Sequence, residues 1–424
     1  MPRPKWVNVE SVLLALEASP RSSDGIPKGA AESDARLLDA ARKDLRVFLG
    51  LLFTLFGTGT TKDFHDVRPV WLLSAVGWIN VNERYVPKQP SALRSALGIK
   101  DKATEAAYES VVRCGALSGS FREGTDTLRR LTGINASVSK LRAMTLAFGA
   151  TCEAAQKAPL PDVREYVSRP SQAYQPIDRT LFCMVDGGSA NCCKVDTKDV
   201  EGKNGEAGTR QIRVGLFGEY GWLDRKGHPA PWKDSLSYFV SGEPIEDFTP
   251  ILKLNGLARG SGTAPRMLCI SDGEIALERA LRDSFSHAVF VNDFCHAAEH
   301  LHDCCYALGL DENAAGKEYR FCHGLLYRLG ATSVIRRIQR RHLECLNASE
   351  KALKELNYLE KRKENMRYGW LRRNGYYIGS GHVEAAVRVL IVRRCKQAGM
   401  HWRHTNAIRV SAIHAHYRSN PKSS

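Results

Sequence analysis

Two apolar runs in this chain each lead straight into an aspartate followed by glycine. Leu181-Phe-Cys-Met-Val185 runs into Asp186-Gly-Gly, and Met267-Leu-Cys-Ile270-Ser271 runs into Asp272-Gly. Short apolar runs bounded by turn residues read as buried strands. Carboxylates at the ends of such strands have one common chemical use, holding divalent metal ions for phosphoryl chemistry. The plainer use of each aspartate is to cap a following helix; as a pair at corresponding strand ends they favour the metal. The glycines are expected to turn the chain sharply there and keep the site open.

A third carboxylate lies in the tail, Tyr377-Ile-Gly-Ser-Gly-His-Val-Glu384-Ala-Ala. Val383, Ala386, Val387 and Leu390 form a helical core stripe, which sets Glu384 at its edge near the helix start. There a glutamate also simply complements the helix dipole. Gly379-Ser380-Gly381 reads as a loop flexible enough for close approach to a ligand. Arg388, Arg393, Arg394 and Lys396 follow on the helix and suit phosphate contacts; a solvated charged face is the plainer account of them.

The pattern around the aspartates specifies a sheet. Leu181–Val185, Gln211–Phe217 and Leu236–Val240 read as strands and Ile245–Leu257 as a helix. Met267–Ile270 reads as a fourth strand, Ile275–Asp283 as a helix and Ala288–Val291 as a fifth strand. Three strands, helix, strand, helix, strand is the order of an RNase H-like fold, in which strands one and four are neighbours. The expected class is α+β and multidomain: a helical N-terminal region (1–104), a helix-turn-helix-like segment with linker (105–175), and an RNase H-like mixed-sheet core (176–302). A basic helical insertion (303–368) interrupts that core, which resumes in the tail (369–424).

Before the core, Ala18–Ser33 reads as a loop after a short first helix, and residues 34–155 as helical. Phe121–Leu131 and Ser137–Phe148, joined through Gly133, have the minimal pattern of a helix-turn-helix. The second would present Ser137, Ser139, Lys140 and Arg142 at its start. An ordinary helical hairpin has the same pattern, and both readings stay open. Pro159, Pro161, Pro170 and Pro176 interrupt any helix, which places the main boundary near residue 175.

A formal net charge of +15 and a pI near 9.3 point to an acidic polymer, foremost nucleic acid, as partner. Between Ala331 and Tyr376 twelve Lys/Arg face five Asp/Glu; Arg336, Arg337, Arg340 and Arg341 are the expected phosphate contacts, with a solvated helix face as the alternative. The longest apolar runs, Val47–Phe56 and Val70–Val81, are shorter than the ~20 residues of a membrane span and read as core helices. The first residues lack a signal-peptide pattern, so an intracellular location is expected. The twelve cysteines form no CxxC pair and read as free thiols.

Asp293-Phe-Cys-His296 follows the fifth strand. With Glu299 and His300 it formally matches the H-x-x-E-H motif of inverted zinc peptidases, whose histidines, one helical turn apart, could grip zinc. The strong basic charge has no role in such an enzyme.

The tail from Tyr377 to Arg409, Ile378-Gly-Ser-Gly-His-Val-Glu384 through Arg393-Arg-Cys-Lys-Gln-Ala-Gly-Met400-His-Trp402, closely resembles the C-terminal end of bacterial insertion-sequence transposases of the ISKra type. Val185-Asp186-Gly-Gly, Ser271-Asp272-Gly and Asp293-Phe-Cys-His296-Ala-Ala-Glu-His-Leu301 are similar to that family's other motifs, in the same order. The resemblance covers roughly residues 105–418 and is specific after 175. His382 stands where a smaller or cyclic residue is expected. The resemblance implies a DDE transposase that cleaves and transfers DNA strands with Mg²⁺, or Mn²⁺ in its place. Asp186, Asp272 and Glu384 would be its catalytic and metal-binding residues, with Asp293 and His296 supporting them. The implied partners are double-stranded DNA (terminal repeats and target) and further copies of the chain on that DNA. The resemblance implies no membrane partner, and the implied location is the bacterial cytoplasm, at the nucleoid. A transposase-derived DNA-binding protein that no longer cuts is the alternative.

Overall fold

The computed structural model describes residues 30–58, 67–84, 91–96, 98–157, 180–198, 200–202, 205–206, 208–223 and 229–419. The short first helix and the proline-rich linker expected from sequence lie outside the described residues. The chain forms two compact units, Met1–Phe148 and Gly149–Ser424.

In the first unit helix α1 (Ala30–Thr58) is followed by β1 (Val67–Ser74) and β2 (Gly77–Arg84), which pair antiparallel. The run Val70–Val81, expected as a core helix, is therefore a β-hairpin. Its second strand alternates buried Ile79 and Val81 with exposed Asn80 and Asn82, the period-2 pattern of a half-buried strand. Gly77 sits in the turn at φ +117°, which disfavours any side chain. In α1, Val47 and Leu51 are half exposed, so only part of Val47–Phe56 faces a core.

A short helix (Ala92–Ala96) follows, and then the longer α2 (Glu105–Leu117), α3 (Phe121–Thr132) and α4 (Val138–Lys157), the last running on into the second unit. Ser120 caps α3 by accepting from the Glu123 amide, and Gly133 ends it in the left-handed region at φ +71°. Gly124 lies so close to the Cys114 carbonyl that a Cβ would meet its oxygen at 2.4 Å, which lets α2 and α3 pack tightly. Ser139 and Arg142 of α4 are exposed, while Lys140 donates to the Asp101 carbonyl.

The second unit holds a mixed sheet of six strands: β3 (Thr180–Asn191), β4 (Thr209–Leu223), β5 (Pro229–Pro231), β6 (Ser237–Ser241), β7 (Met267–Ser271) and β8 (Val289–Asn292). The order is β8-β7-β3-β4, with β5 and β6 sharing the far edge of β4. β3, β4 and β6 run antiparallel in succession, while β7 and β8 are parallel to β3 and to each other. The architecture is mixed α+β and compatible with an RNase H-like core.

Parallel strands need crossover connections; α5 (Ile245–Ala258) and α6 (Ile275–Ser284) supply them. Their Phe248, Leu252, Leu277 and Leu281 pack with Leu181, Cys183 and Val185 of β3 and Met267 and Cys269 of β7 into one buried cluster. Each such valine, leucine, methionine or phenylalanine contributes about 1.5–3 kcal/mol on full burial.

After β8 the chain is helical: α7 (Phe294–Tyr306), α8 (Glu312–Arg328), α9 (Ala331–Arg341), α10 (Leu343–Ala348), α11 (Glu350–Arg362) and α12 (Tyr368–Arg373). The tail adds α13 (Gly381–Val387), a π-helical segment (Arg388–Val392), α14 (Arg393–Cys395) and α15 (His404–Ser419). Among the described residues no helix is long and apolar enough to cross a membrane.

Candidate metal centre

Strand alternation decides which residues share the candidate site. In β3, Leu181, Cys183 and Val185 face the helices α5 and α6, so Phe182, Met184, Asp186 and Gly188 share the other face. β3 pairs with β7 from Leu181↔Met267 to Met184↔Ile270. Continuing that register by two residues sets Asp272 opposite Asp186. Asp272 itself lies just past the end of β7, close enough for its charge to raise the Asp186 carboxyl.

The glycines after Asp186 do not turn the chain. β3 continues to Asn191, paired throughout with β4, and Asp186 marks only where the parallel neighbour stops. Gly188 has a different use. A Cβ there would meet Val387 Cγ1 at 2.8 Å and Ile391 Cδ1 at 2.9 Å. The missing side chain lets α13 and the π-helical segment lie against β3, and α13 carries Glu384 to the face that holds Asp186. The π-helical turn follows directly, a feature frequent at functional sites.

Asp272 does not cap α6, whose N-cap position is Glu274; its Oδ1 accepts from the Glu274 amide at 2.9 Å. Gly273 at φ +95° makes the turn that the sequence suggested at this aspartate. Glu384 is exposed in the first turn of α13. Ser380, buried just before it, donates its hydroxyl to Glu384 Oε1 in a short hydrogen bond. The Gly-Ser-Gly segment is therefore tied down at its centre, whereas a Cβ at Gly381 would meet nothing within 4 Å.

Asp293 does the tying. This fully buried carboxylate caps α7: Oδ2 accepts from the His296 amide at 2.8 Å and lies 2.9 Å from His296 Nδ1. Oδ1 accepts from the Ser380 amide at 2.6 Å. Its own amide donates to the Ser271 carbonyl, next to Asp272. One side chain thus joins the ends of β7 and β8 to the segment that carries Glu384. Burial opposes its charge, but the hydrogen bonds from His296 and Ser380 win and hold it below the ordinary carboxylate value.

The electrostatics of the site follow. Burial, with the negative charges of Asp272 and Glu384, pushes the Asp186 carboxyl up to about 6, although it accepts from the Gly187 amide at 2.6 Å. The hydrogen bond to Asp293 raises His296 to about 9, with Glu299 and Asp272 adding to it. Without a metal ion these contacts favour the protonated imidazole. Burial lowers His382, which lies 5.5 Å from the Tyr377 ring.

Among the described residues one set of donor atoms lies within 4.8 Å of one another: Asp293, His296 and Glu384. Asp186 and Asp272 stand outside that radius but act on the same field. The set that comes together is therefore not the sequence-expected trio, sharing only Glu384 with it. With two carboxylates and an imidazole so close together, the cluster is compatible with a divalent metal ion. Asp293 and His296, expected to support the site, stand directly beside Glu384.

The two histidines of the H-x-x-E-H match do not face one site. His300 Nδ1 lies 2.5 Å from Glu355 Oε2, and its ring stacks on Tyr358 at 3.5 Å, while His296 is held by Asp293. Of the arginines expected on phosphates, Arg336, Arg340 and Arg341 are exposed on α9, and Arg388, Arg393 and Lys396 on the tail. Arg337 and Arg394 are engaged internally. Arg337 donates twice to Glu318, at 2.6 and 2.8 Å, and its guanidinium lies over Phe321. Arg394 is 3% exposed, with its guanidinium over the Trp402 ring. Sequence reasoning missed Ser380, Tyr358 and Arg362. The last two bond the backbone of the Asp272 loop, and only their spacing of four on one helix hinted at a shared role.

No protein-family profile matches the sequence, and no curated protein does. The structure is similar to a chain of the Drosophila P element transposase strand transfer complex, at 10% identity, over 74% of this chain and 80% of that chain, with a TM-score of 0.24.

Proposed function

We propose that the chain is a DDE transposase of the ISKra type with an RNase H-like core, whose Asp186, Asp272 and Glu384 hold divalent ions for cleavage and strand transfer of an insertion sequence. The observation that carries this reading is geometric: donor atoms of Asp293, His296 and Glu384 lie within 4.8 Å of one another, beside an Asp186 carboxyl that burial and the charges of Asp272 and Glu384 push up. Perturbed carboxyls in such clusters are characteristic of functional sites. Oxygen donors of this kind suit Mg²⁺, with Mn²⁺ as a substitute. When bound, such ions lower the pKa of an attacking water and neutralise charge on the phosphoryl group.

The chain's own residues do the positioning. Asp186 and Asp272 present carboxylates from adjacent strands, and Glu384 closes the set from α13. Asp293 and Ser380 fix Glu384, and His296, engaged through Nδ1, leaves Nε2 for a phosphate oxygen or water. Cleavage transfers a phosphodiester from the deoxyribose 3′ oxygen to water. Strand transfer then moves a target phosphodiester onto the freed 3′-hydroxyl, in line with the oxygen that leaves.

On this reading residues 176–302 and 369–424 form one catalytic core, interrupted by the helical block 303–368. Exposed Arg336, Arg340, Arg341, Arg388, Arg393 and Lys396 serve phosphates, and residues 105–175, with α3 and α4, contact DNA. Further copies of the chain assemble on the same DNA, at the bacterial nucleoid.

The test is strand cleavage of the DNA that flanks the gene. With Mg²⁺ the parent should nick it at the ends of an inverted repeat, and Asp272→Asn should bind that DNA equally well without cutting it. Cutting by Asp272→Asn at the parental rate would remove the assignment.

A further inference from the structure

A second set of contacts reaches the candidate metal centre from the basic helical block. Tyr358, on α11, donates its hydroxyl to the Asp272 carbonyl at 2.6 Å. Arg362, one turn further along, donates Nη2 and Nε to the Gly273 carbonyl at 2.7 and 3.2 Å. The two side chains fix each other, since the Arg362 guanidinium lies 4.1 Å from the Tyr358 ring centroid. The ring is also stacked against His300, which is bound to Glu355 of the same helix. The turn is shaped around these contacts. At Gly273 a Cβ would meet the Tyr358 hydroxyl at 2.6 Å and Arg362 Nε at 2.8 Å. Consecutive carbonyls of the Asp-Gly turn are thus gripped by one helix, and the charge of the same Asp272 acts on Asp186.

We propose that Tyr358 and Arg362 are positioning residues for Asp272, fixing its backbone from the helical block so that its carboxylate is oriented for a divalent ion. Partners behind a metal ligand set its orientation, and removing one characteristically weakens the metal by about tenfold or more. The grip also makes the metal centre depend on where α11 stands. The role rests on the reading of Asp272 as a metal ligand.

The experiment uses the full-length chain and three substitutions: Tyr358→Phe, which removes only the hydroxyl; Arg362→Lys, which keeps the charge but loses the paired donation; and Asp272→Asn as reference. Tb³⁺ affinity is measured by sensitised luminescence without DNA, and the Mg²⁺ concentration for half-maximal cleavage is measured with DNA. Thermal melting and DNA affinity in EDTA report folding and binding. The role predicts that Tyr358→Phe and Arg362→Lys each weaken Tb³⁺ and raise the Mg²⁺ requirement about tenfold, with DNA affinity unchanged. Excess Mg²⁺ should restore most of the cutting rate. A purely structural role would lower the melting temperature and leave both metal dependences where they were. That result, with Tb³⁺ binding lost in Asp272→Asn, overturns the positioning role alone. Unchanged Tb³⁺ affinity in Asp272→Asn overturns the metal-ligand reading and the positioning role with it.

Discussion

Asp186→Asn should make the metal-free protein more stable at neutral pH. The side chain keeps its shape but loses the charge that burial, Asp272 and Glu384 disfavour. The Asp186 carboxyl sits at about 6 instead of its ordinary 3.8; at about 1.4 kcal/mol per pH unit, ionising it costs the fold about 3 kcal/mol. Partial exposure of the group to water trims that to about 2 kcal/mol. Because the folded-state value is raised, the parent is best off below pH 3.8, where the carboxyl is neutral in both states. It loses stability as pH rises to 6 and nothing further from this group beyond. The gain of Asp186→Asn should therefore be near zero at pH 4 and complete above pH 6. For a unit of this size it corresponds to about 4–8 °C in melting temperature. Mg²⁺ should do for the parent what the substitution does, stabilising it by binding the folded state, and should do much less for the variant. The assay is thermal melting across pH 4–8, in EDTA and in Mg²⁺. A variant no more stable than the parent at pH 7.5 in EDTA, or a gain that does not depend on pH, would refute the reasoning.

Neutralising Arg336, Arg340 and Arg341 together should flatten the slope of log K against log salt by up to about three, near one per phosphate contact, measured by DNA binding over a salt series. Arg337→Ala should leave that slope unchanged and instead destabilise the fold by about 2–3 kcal/mol, because it leaves the buried Glu318 carboxylate with only Cys322 and a more distant His342; chemical denaturation reads this. Gly188→Ala forces a methyl to within 3 Å of Val387 and Ile391, so it should cost about 1–3 kcal/mol and displace α13. Mg²⁺-dependent cleavage should then fall further than DNA binding, as kinetics and affinity measured side by side would reveal.

The sheet was legible because its strands carry the signal in their own residues. Leu181–Val185 and Met267–Ile270 are near-continuous apolar runs, the mark of strands buried on both faces, and the spacing of strands and helices between them prescribes parallel crossovers. Glycine was the less faithful guide. In Asp186-Gly187-Gly188 it spoke of a turn, yet the strand runs on and Gly188 serves a helix more than 190 residues later in the chain. In Val70–Val81, Trp71-Leu72-Leu73 blurred the alternation, and the turn at Gly77 decides the hairpin. Glu384 could be placed on its helix from the stripe of Val383, Ala386, Val387 and Leu390. Which arginines face water could not be read the same way. Arg337 is internal because Glu318, nineteen positions earlier, folds beside it, and Arg394 because Trp402 covers it. The Tyr358–Arg362 grip joins parts of the chain some 86 residues apart, and no local pattern encodes such a contact.

The central claim is that Asp186, Asp272 and Glu384 jointly hold divalent ions, and a crystal of the protein on DNA soaked in Mn²⁺ tests it most directly through anomalous scattering. The account predicts two peaks about 3.5–4 Å apart, bounded by the carboxylates of Asp186, Asp272 and Glu384, with His296 alongside. A single peak confined to Asp293, His296 and Glu384, with the two strand aspartates left out, would contradict it.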